Sequence, residues 1–170
     1  MLSRTALGVS VGLAGLLVVG VIVLGKLVGS AGDPESPVAL VSVDAPQAGS
    51  AACATLIGAL PAELTSGSAV LHRLPLASPA PPATMAWGTG GSAEPVVLRC
   101  GLNRPPELTP TAQLREISGV RWLPVPGARA TTWYLADRAV FVALTVPDGA
   151  GTGVLQGVSE TVGRNLAASP

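Results

Sequence analysis

Apolar residues fall in three different rhythms along this chain, and each rhythm predicts a different kind of element. From Ala6 to Gly25 there is no charged residue, and Arg4 and Lys26 bracket the run. Twenty residues at 1.5 Å each make about 30 Å of helix, the thickness of a bilayer core. A secretory h-region runs about 7–15 residues, so the length favours an uncleaved anchor, although Gly29-Ser30-Ala31 is readable as a signal-peptide cleavage site. Arg4 and the amino terminus point to a cytoplasmic N-end. The expected layout is therefore a cytoplasmic stretch 1–5, a transmembrane anchor 6–26, a linker 27–37 and an extracytoplasmic domain 38–170. Within the anchor, Gly8–Gly12 and Gly25–Gly29 are spaced for close approach of two such helices, a route to self-association.

Beyond the linker the rhythm changes. The β-branched run Val38–Val43 suits a strand. Cys53, Leu56, Ile57, Leu60 and Leu64 fall on one helical face, with Pro61 expected to end or kink that helix. Leu74–Pro95 contains five prolines and is expected to be mostly loop. Alternation then takes over in Pro95–Cys100, Ala112–Ile117, Val120–Val125, Ala130–Leu135 and Ala139–Val146. Ser118-Gly119 forms a two-residue hairpin turn between the second and third of these, and Ala136–Arg138 connects a second hairpin. In the tail, Val154, Leu155, Val158, Val162 and Leu166 share a helical face, with Glu160 and Arg164 spaced as an i,i+4 pair. Together these elements predict an α+β domain: a largely antiparallel sheet of five or six strands with two helices packed on it.

Composition narrows the classes of function. Of 170 residues only 12% are charged, about half the usual share, and ten acids balance ten bases. Past the anchor, ten acids face eight arginines, a net of −2, so nothing supports binding to nucleic acid or anionic lipid. Lys26 is the only lysine, and with 21 Gly and 16 Pro this bias is typical of a GC-rich genome.

The two cysteines depend on location for their meaning. Alternation in "VVLRC" sets Val96, Leu98 and Cys100 on one face and Val97 and Arg99 on the other, wetter one. Cys53 lies on the apolar stripe of the first helix. Two cysteines on two core-facing surfaces of an exported domain read as a disulfide. The rivals have less behind them. Two cysteines and His72 show no usual zinc spacing. A catalytic cysteine needs a base, and His72 is the sole histidine. A lipoprotein reading of Cys53 lacks the preceding Leu and lies far past the apolar run.

The order Asp44-Ala45-Pro46, Cys53 in "ACATLIGALP", Arg73, "AWG" at Ala86–Gly88, "VVLRCG", Arg104-Pro105, "LTPTAQL" and "ISGVRW" resembles an actinobacterial family of exported proteins with an N-terminal hydrophobic segment, a domain of unknown function. The resemblance spans about Val41 to Val146 and is most specific in the "LRCG" and "LTPT" blocks. It implies a Cys53–Cys100 pair and a mycobacterial or related source, and brings no activity, cofactor or catalytic residue.

No G-x-S-x-G elbow accompanies His72, which reads as a surface histidine in a loop or edge. "GTGGS" at Gly88–Ser92 lacks the rest of a phosphate-binding motif and reads as a turn. Trp87, Trp122 and Trp133 either line a sugar-binding surface or fill the core; with one Phe and one Tyr in the chain, the core is expected. Arg99, Arg104, Arg115 and Arg121 gather near the "RCGLNRP" turn and the next hairpin. They form either a pocket for a carboxylate or phosphate or, as the balanced charge favours, ion pairs with Glu94, Glu107 and Glu116. No catalytic residue, metal ligand or cofactor is assigned. The expected function is a non-catalytic, membrane-tethered accessory protein of the cell envelope with an unidentified envelope protein as partner. A ligand-binding or sensor domain with an Arg-lined pocket is the alternative, and an envelope enzyme the third reading.

Overall fold

Val96–Leu102 is apolar at nearly every position, the composition of a strand covered on both faces, and it lies at the middle of the structure. The computed structural model describes residues 36–91 and 93–169. The expected cytoplasmic stretch 1–5 and anchor 6–26 lie outside these residues, as does most of the linker. Among the described residues no helix is long and apolar enough to cross a membrane.

Among the described residues, eight strands form one antiparallel sheet. They are β1 (Glu63–Ser66), β2 (Ala69–Leu74), β3 (Thr84–Gly88), β4 (Val96–Leu102), β5 (Arg115–Ile117), β6 (Val120–Pro126), β7 (Ala130–Leu135) and β8 (Phe141–Pro147), in the order β1-β2-β3-β4-β8-β7-β6-β5. Helices α1 (Ala51–Ala59) and α2 (Gly153–Asn165) pack against one face. This corrects the expected five or six strands. β4 to β8 overlap the five alternating runs, β5 taking only the second half of Ala112–Ile117, while β1, β2 and β3 lie where loop or helix was expected. β1 and β2 each turn a single buried residue inward, Leu64 and Leu71, too little to show a period. β3 is apolar at consecutive positions from Met85 to Gly88 and sits among prolines, so it has no alternation to show.

Val38–Val43 is the opposite error. It has the composition of a strand and is not one; its backbone pairing among the described residues is a single parallel bridge between Val38 and Leu76. Its Val38 N–H donates to Pro75 O at 2.8 Å, and Val38 O accepts from Ala77 N–H at 2.9 Å. β-propensity needs a ladder partner to be realised, and both flanks of β2 are already taken, by β1 and β3.

The helix-covered face holds the core. Met85 and Trp87 of β3, Val96, Leu98 and Cys100 of β4, Val142 and Leu144 of β8, and Trp122 of β6 are buried there. α1 begins at Ser50, whose side chain caps the Cys53 N–H at 3.2 Å, and it ends before Pro61. Its Cys53 is bonded to Cys100, with the two Cα atoms 5.6 Å apart. α2 buries Val154, Leu155, Val158 and Val162, as its period predicts, and Glu160 and Arg164 meet at 3.8 Å. Trp87 donates to Pro61 O at 2.9 Å and Trp122 to Ser159 Oγ at 2.8 Å, which satisfies both indoles inside the core. Trp133 is partly buried against the same cluster, so none of the three forms a sugar platform.

The hairpin turn at Ser118-Gly119 is as expected, both residues having positive φ (50° and 73°). The β7–β8 connection differs from its expected form by running from Ala136 to Val140 and folding inward. There Asp137 is 7% and Arg138 8% exposed.

Candidate functional site

The site lies on the face of the sheet opposite the helices. Strand parity points Arg99 of β4 away from Cys100, and register places Arg99 opposite Ala143 of β8, which is opposite Tyr134 of β7. Arg99 and Tyr134 are thus two strands apart, roughly 10 Å. The small Ala143 between them leaves the floor low. One row along the strands, Thr132 and Thr145 face each other with their hydroxyls 3.2 Å apart.

Two segments wall this floor into a cleft of about 300 Å³. The first is the strap Leu40–Asp44. Val43 and Asp44 line the cleft, and the Val41 carbonyl accepts from Arg99 Nη2 at 3.4 Å. The second is the end of β4 with the loop after it, where Leu102, Arg104, Pro105 and Pro106 line the cleft. The two meet through Asn103 Nδ2, which donates to Asp44 Oδ2 at 2.6 Å. The loop's departure is set at Gly101, where a β-bulge shifts the register. Gly101 has φ +88°, and a Cβ there would lie 2.2 Å from the Ala48 backbone nitrogen, so only glycine fits.

Electrostatically the floor is a cation beside a phenol. Burial holds the Arg99 guanidinium pKa below its ordinary value, and Tyr134 works in the opposite sense. Burial, and then the Glu107 charge, push the Tyr134 hydroxyl above its ordinary value, while Arg99 pulls it back. The Arg99 Nε is sealed from solvent and has no hydrogen-bond partner. Arg104 spends one amino group on Leu108 O at 2.6 Å. Among the described residues, no carboxylate lies within 4.0 Å of either guanidinium.

The four arginines singled out in the sequence therefore part company. Arg99 and Arg104 share the cleft. Arg115 lies exposed on the edge strand β5, opposite Trp122. Arg121 has its Nε 3.6 Å from Asp137 Oδ2, which also accepts the Arg121 backbone N–H at 3.1 Å. None of the four takes the partner expected of it, for Glu94 pairs with Arg129 instead. Tyr134 escaped the sequence reading, though its alternation with Trp133 and Leu135 carried the signal. His72 is exposed on β2, 3.2 Å from Glu63 of β1.

A larger cavity of about 600 Å³ lies at the other end of the sheet, lined in part by Leu71, Gly88, Val96 and Pro147. Its guanidinium, Arg129, is already neutralised by Glu94. The smaller cleft is the one whose cations lack carboxylate partners.

No curated protein and no solved structure matches this chain. A family model does: it covers residues 11–170, past the Val41–Val146 span of the sequence resemblance at both ends, and so takes in α2 and every strand of the sheet. The chain belongs to this family, the proteins of unknown function termed DUF3515.

Proposed function

We propose that this chain is a non-catalytic, membrane-tethered domain of the actinobacterial cell envelope, held outside the membrane, that binds a small anionic molecule. The observation that carries the reading is the pair of arginines, Arg99 and Arg104, lining one concave site with no carboxylate partner. Unpaired guanidinium groups beside a phenol and a threonine pair suit an oxyanion in both charge and hydrogen-bond geometry. Export is supported by the pairing of both cysteines, since disulfides persist in oxidising compartments. Tethering is supported by the uncharged run Ala6–Gly25.

Full-length protein titrated calorimetrically with a panel of small carboxylates and phosphates should bind at least one of them. Arg99→Gln and Arg104→Gln should each weaken that binding about tenfold or more, in line with loss of a charge-assisted hydrogen bond, and leave the melting temperature nearly unchanged. Absence of binding, or binding indifferent to both arginines, overturns the proposal. For topology, Ser68→Cys places a thiol at an exposed turn. A membrane-impermeant maleimide should label it on intact cells, and labelling only after lysis refutes the extracytoplasmic placement.

A second reading, an accessory protein acting through an envelope protein partner, has one observation in its favour. Val41 is 81% and Val43 48% exposed beside the cleft, an apolar contact surface on the strap. Cross-linking from these positions in intact envelopes should capture the partner. Cross-links to lipid alone oppose it.

A further inference from the structure

Resting on the anion-binding reading, the geometry points to a narrower ligand class: a singly charged carboxylate with a short apolar body, gripped side-on by the Nε/Nη2 edge of Arg99 in place of the Val41 carbonyl. A guanidinium offers a carboxylate two parallel N–H groups along one edge, and on Arg99 that edge is incompletely used. Nε has no partner, and Nη2 has only the Val41 carbonyl at the long distance of 3.4 Å. Nε is also sealed from solvent, so an incoming oxygen reaches it only if its cover moves. The strap carrying Val41 is the segment bonded on that edge. It has no strand ladder to hold it; the bridge at Val38, the Asp44–Asn103 contact and the long bond from Arg99 tether it.

Charge selects carboxylate over phosphate. Arg104 has an amino group committed to Leu108 O. Asp44 stands on the rim, and the Glu107 charge reaches Tyr134. Two guanidinium charges thus face two nearby carboxylate charges, so the cleft holds little excess positive charge and suits one negative charge better than two. A phosphate monoester carries about −1.5 to −2 at neutral pH and would meet these carboxylates as a like charge. Apart from Asn103 and the Thr132–Thr145 pair, the remaining lining, Val43, Leu102, Pro105, Pro106 and Ala143, is apolar, and about 300 Å³ is the small end of the range for ligand pockets.

The test uses full-length protein with two probes, hexanoate and inorganic phosphate, followed by calorimetry and by amide and guanidinium NMR. Hexanoate should bind at least about tenfold more tightly than phosphate, the difference of roughly one unit of like-charge interaction at a partly buried site. It should move the Arg99 Nε–H resonance downfield and shift the Ser42 amide, which follows the displaced Val41 carbonyl. Tyr134 is the only tyrosine, so its phenolate absorbance titrates one residue. Bound hexanoate should raise its pKa further, because the anion cancels the pull of Arg99 and adds a like charge. Arg99→Lys keeps the charge but lacks the fork, and should lose hexanoate affinity about tenfold while keeping the fold, read by circular dichroism. Phosphate binding as tight as hexanoate, still dependent on Arg99, overturns the carboxylate assignment and leaves the anion site standing. Hexanoate binding that moves neither Arg99 Nε–H nor the Ser42 amide overturns the side-on exchange. No binding of either probe, nor of the wider anion panel, removes both readings together.

Discussion

Asp137 shows how one residue can hold several segments in register. Its Oδ2 accepts the Arg121 backbone N–H from β6, and Arg138 Nη1 lies 2.9 Å from its Oδ1, too far out of line for a directional hydrogen bond but close enough for an ionic contact. Its carbonyl accepts from Arg138 Nη1 and from the Ser169 N–H, so the chain's last described residue is tied here too. Both charged side chains are nearly inaccessible to water. Such a pair is weak evidence for net stability, because desolvation offsets most of the attraction, yet removing one member strands the other. Asp137→Ala should therefore cost about 3–5 kcal/mol, measured by urea unfolding. A loss below about 1 kcal/mol, the scale of an exposed pair, shows that Arg138 finds water when its partner is gone.

At the scale of elements, the bulge in β4 links the core to the cleft. Up to Cys100 the strand alternates core and outer face, and Cys100 fixes its inner side to α1. At Gly101 the register shifts, its carbonyl accepts from the Gln47 N–H at 3.0 Å, and the loop bearing Arg104 swings over the outer face. Gly101→Ala meets two obstacles, a backbone at φ +88° and a Cβ 2.2 Å from Ala48 N. The expected cost is on the order of 3 kcal/mol. Because the strain falls between β4 and the segment ahead of α1, anion binding should weaken along with stability. Unfolding titrations and ligand calorimetry on the same variant separate the two effects. Unchanged stability would mean that Gln47–Ala48 moves aside freely.

For the molecule as a whole, the disulfide ties α1 to the centre of an eight-stranded sheet. It closes a loop with a sequence separation of 47 that contains β1, β2 and β3. Chain entropy assigns such a cross-link about 4 kcal/mol. The double variant Cys53→Ala/Cys100→Ala should lose stability by about that amount in denaturant unfolding, with β1–β3 exchanging amide hydrogens sooner than β6–β8. Uniform exchange across the sheet would show that the bridge stabilises the fold without a local preference.

The sequence alone points to β4 to β8, because five separate apolar-rich runs are set off by turn and loop residues, although β4 and β8 are covered on both faces and their burial does not alternate. It determined α2 through a long 3.6-residue period, and it matched Cys53 with Cys100 by placing each on a core-facing surface. The remaining features depend on contacts between distant segments. β1–β3 are short or apolar throughout, so pairing and not pattern makes them strands. Val38–Val43 has the pattern and lacks the pairing. The cleft was half visible, since Arg99 could be assigned to the outer face by parity while its neighbours could not. Strand order brings Ala143 and Tyr134 beside Arg99, and a single bulge sends Arg104 back over them while leaving Arg115 on a distant edge strand and Arg121 with Asp137. Local periodicity reports which face a side chain takes; the identity of its neighbours across the sheet depends on non-local pairing, which no local pattern encodes.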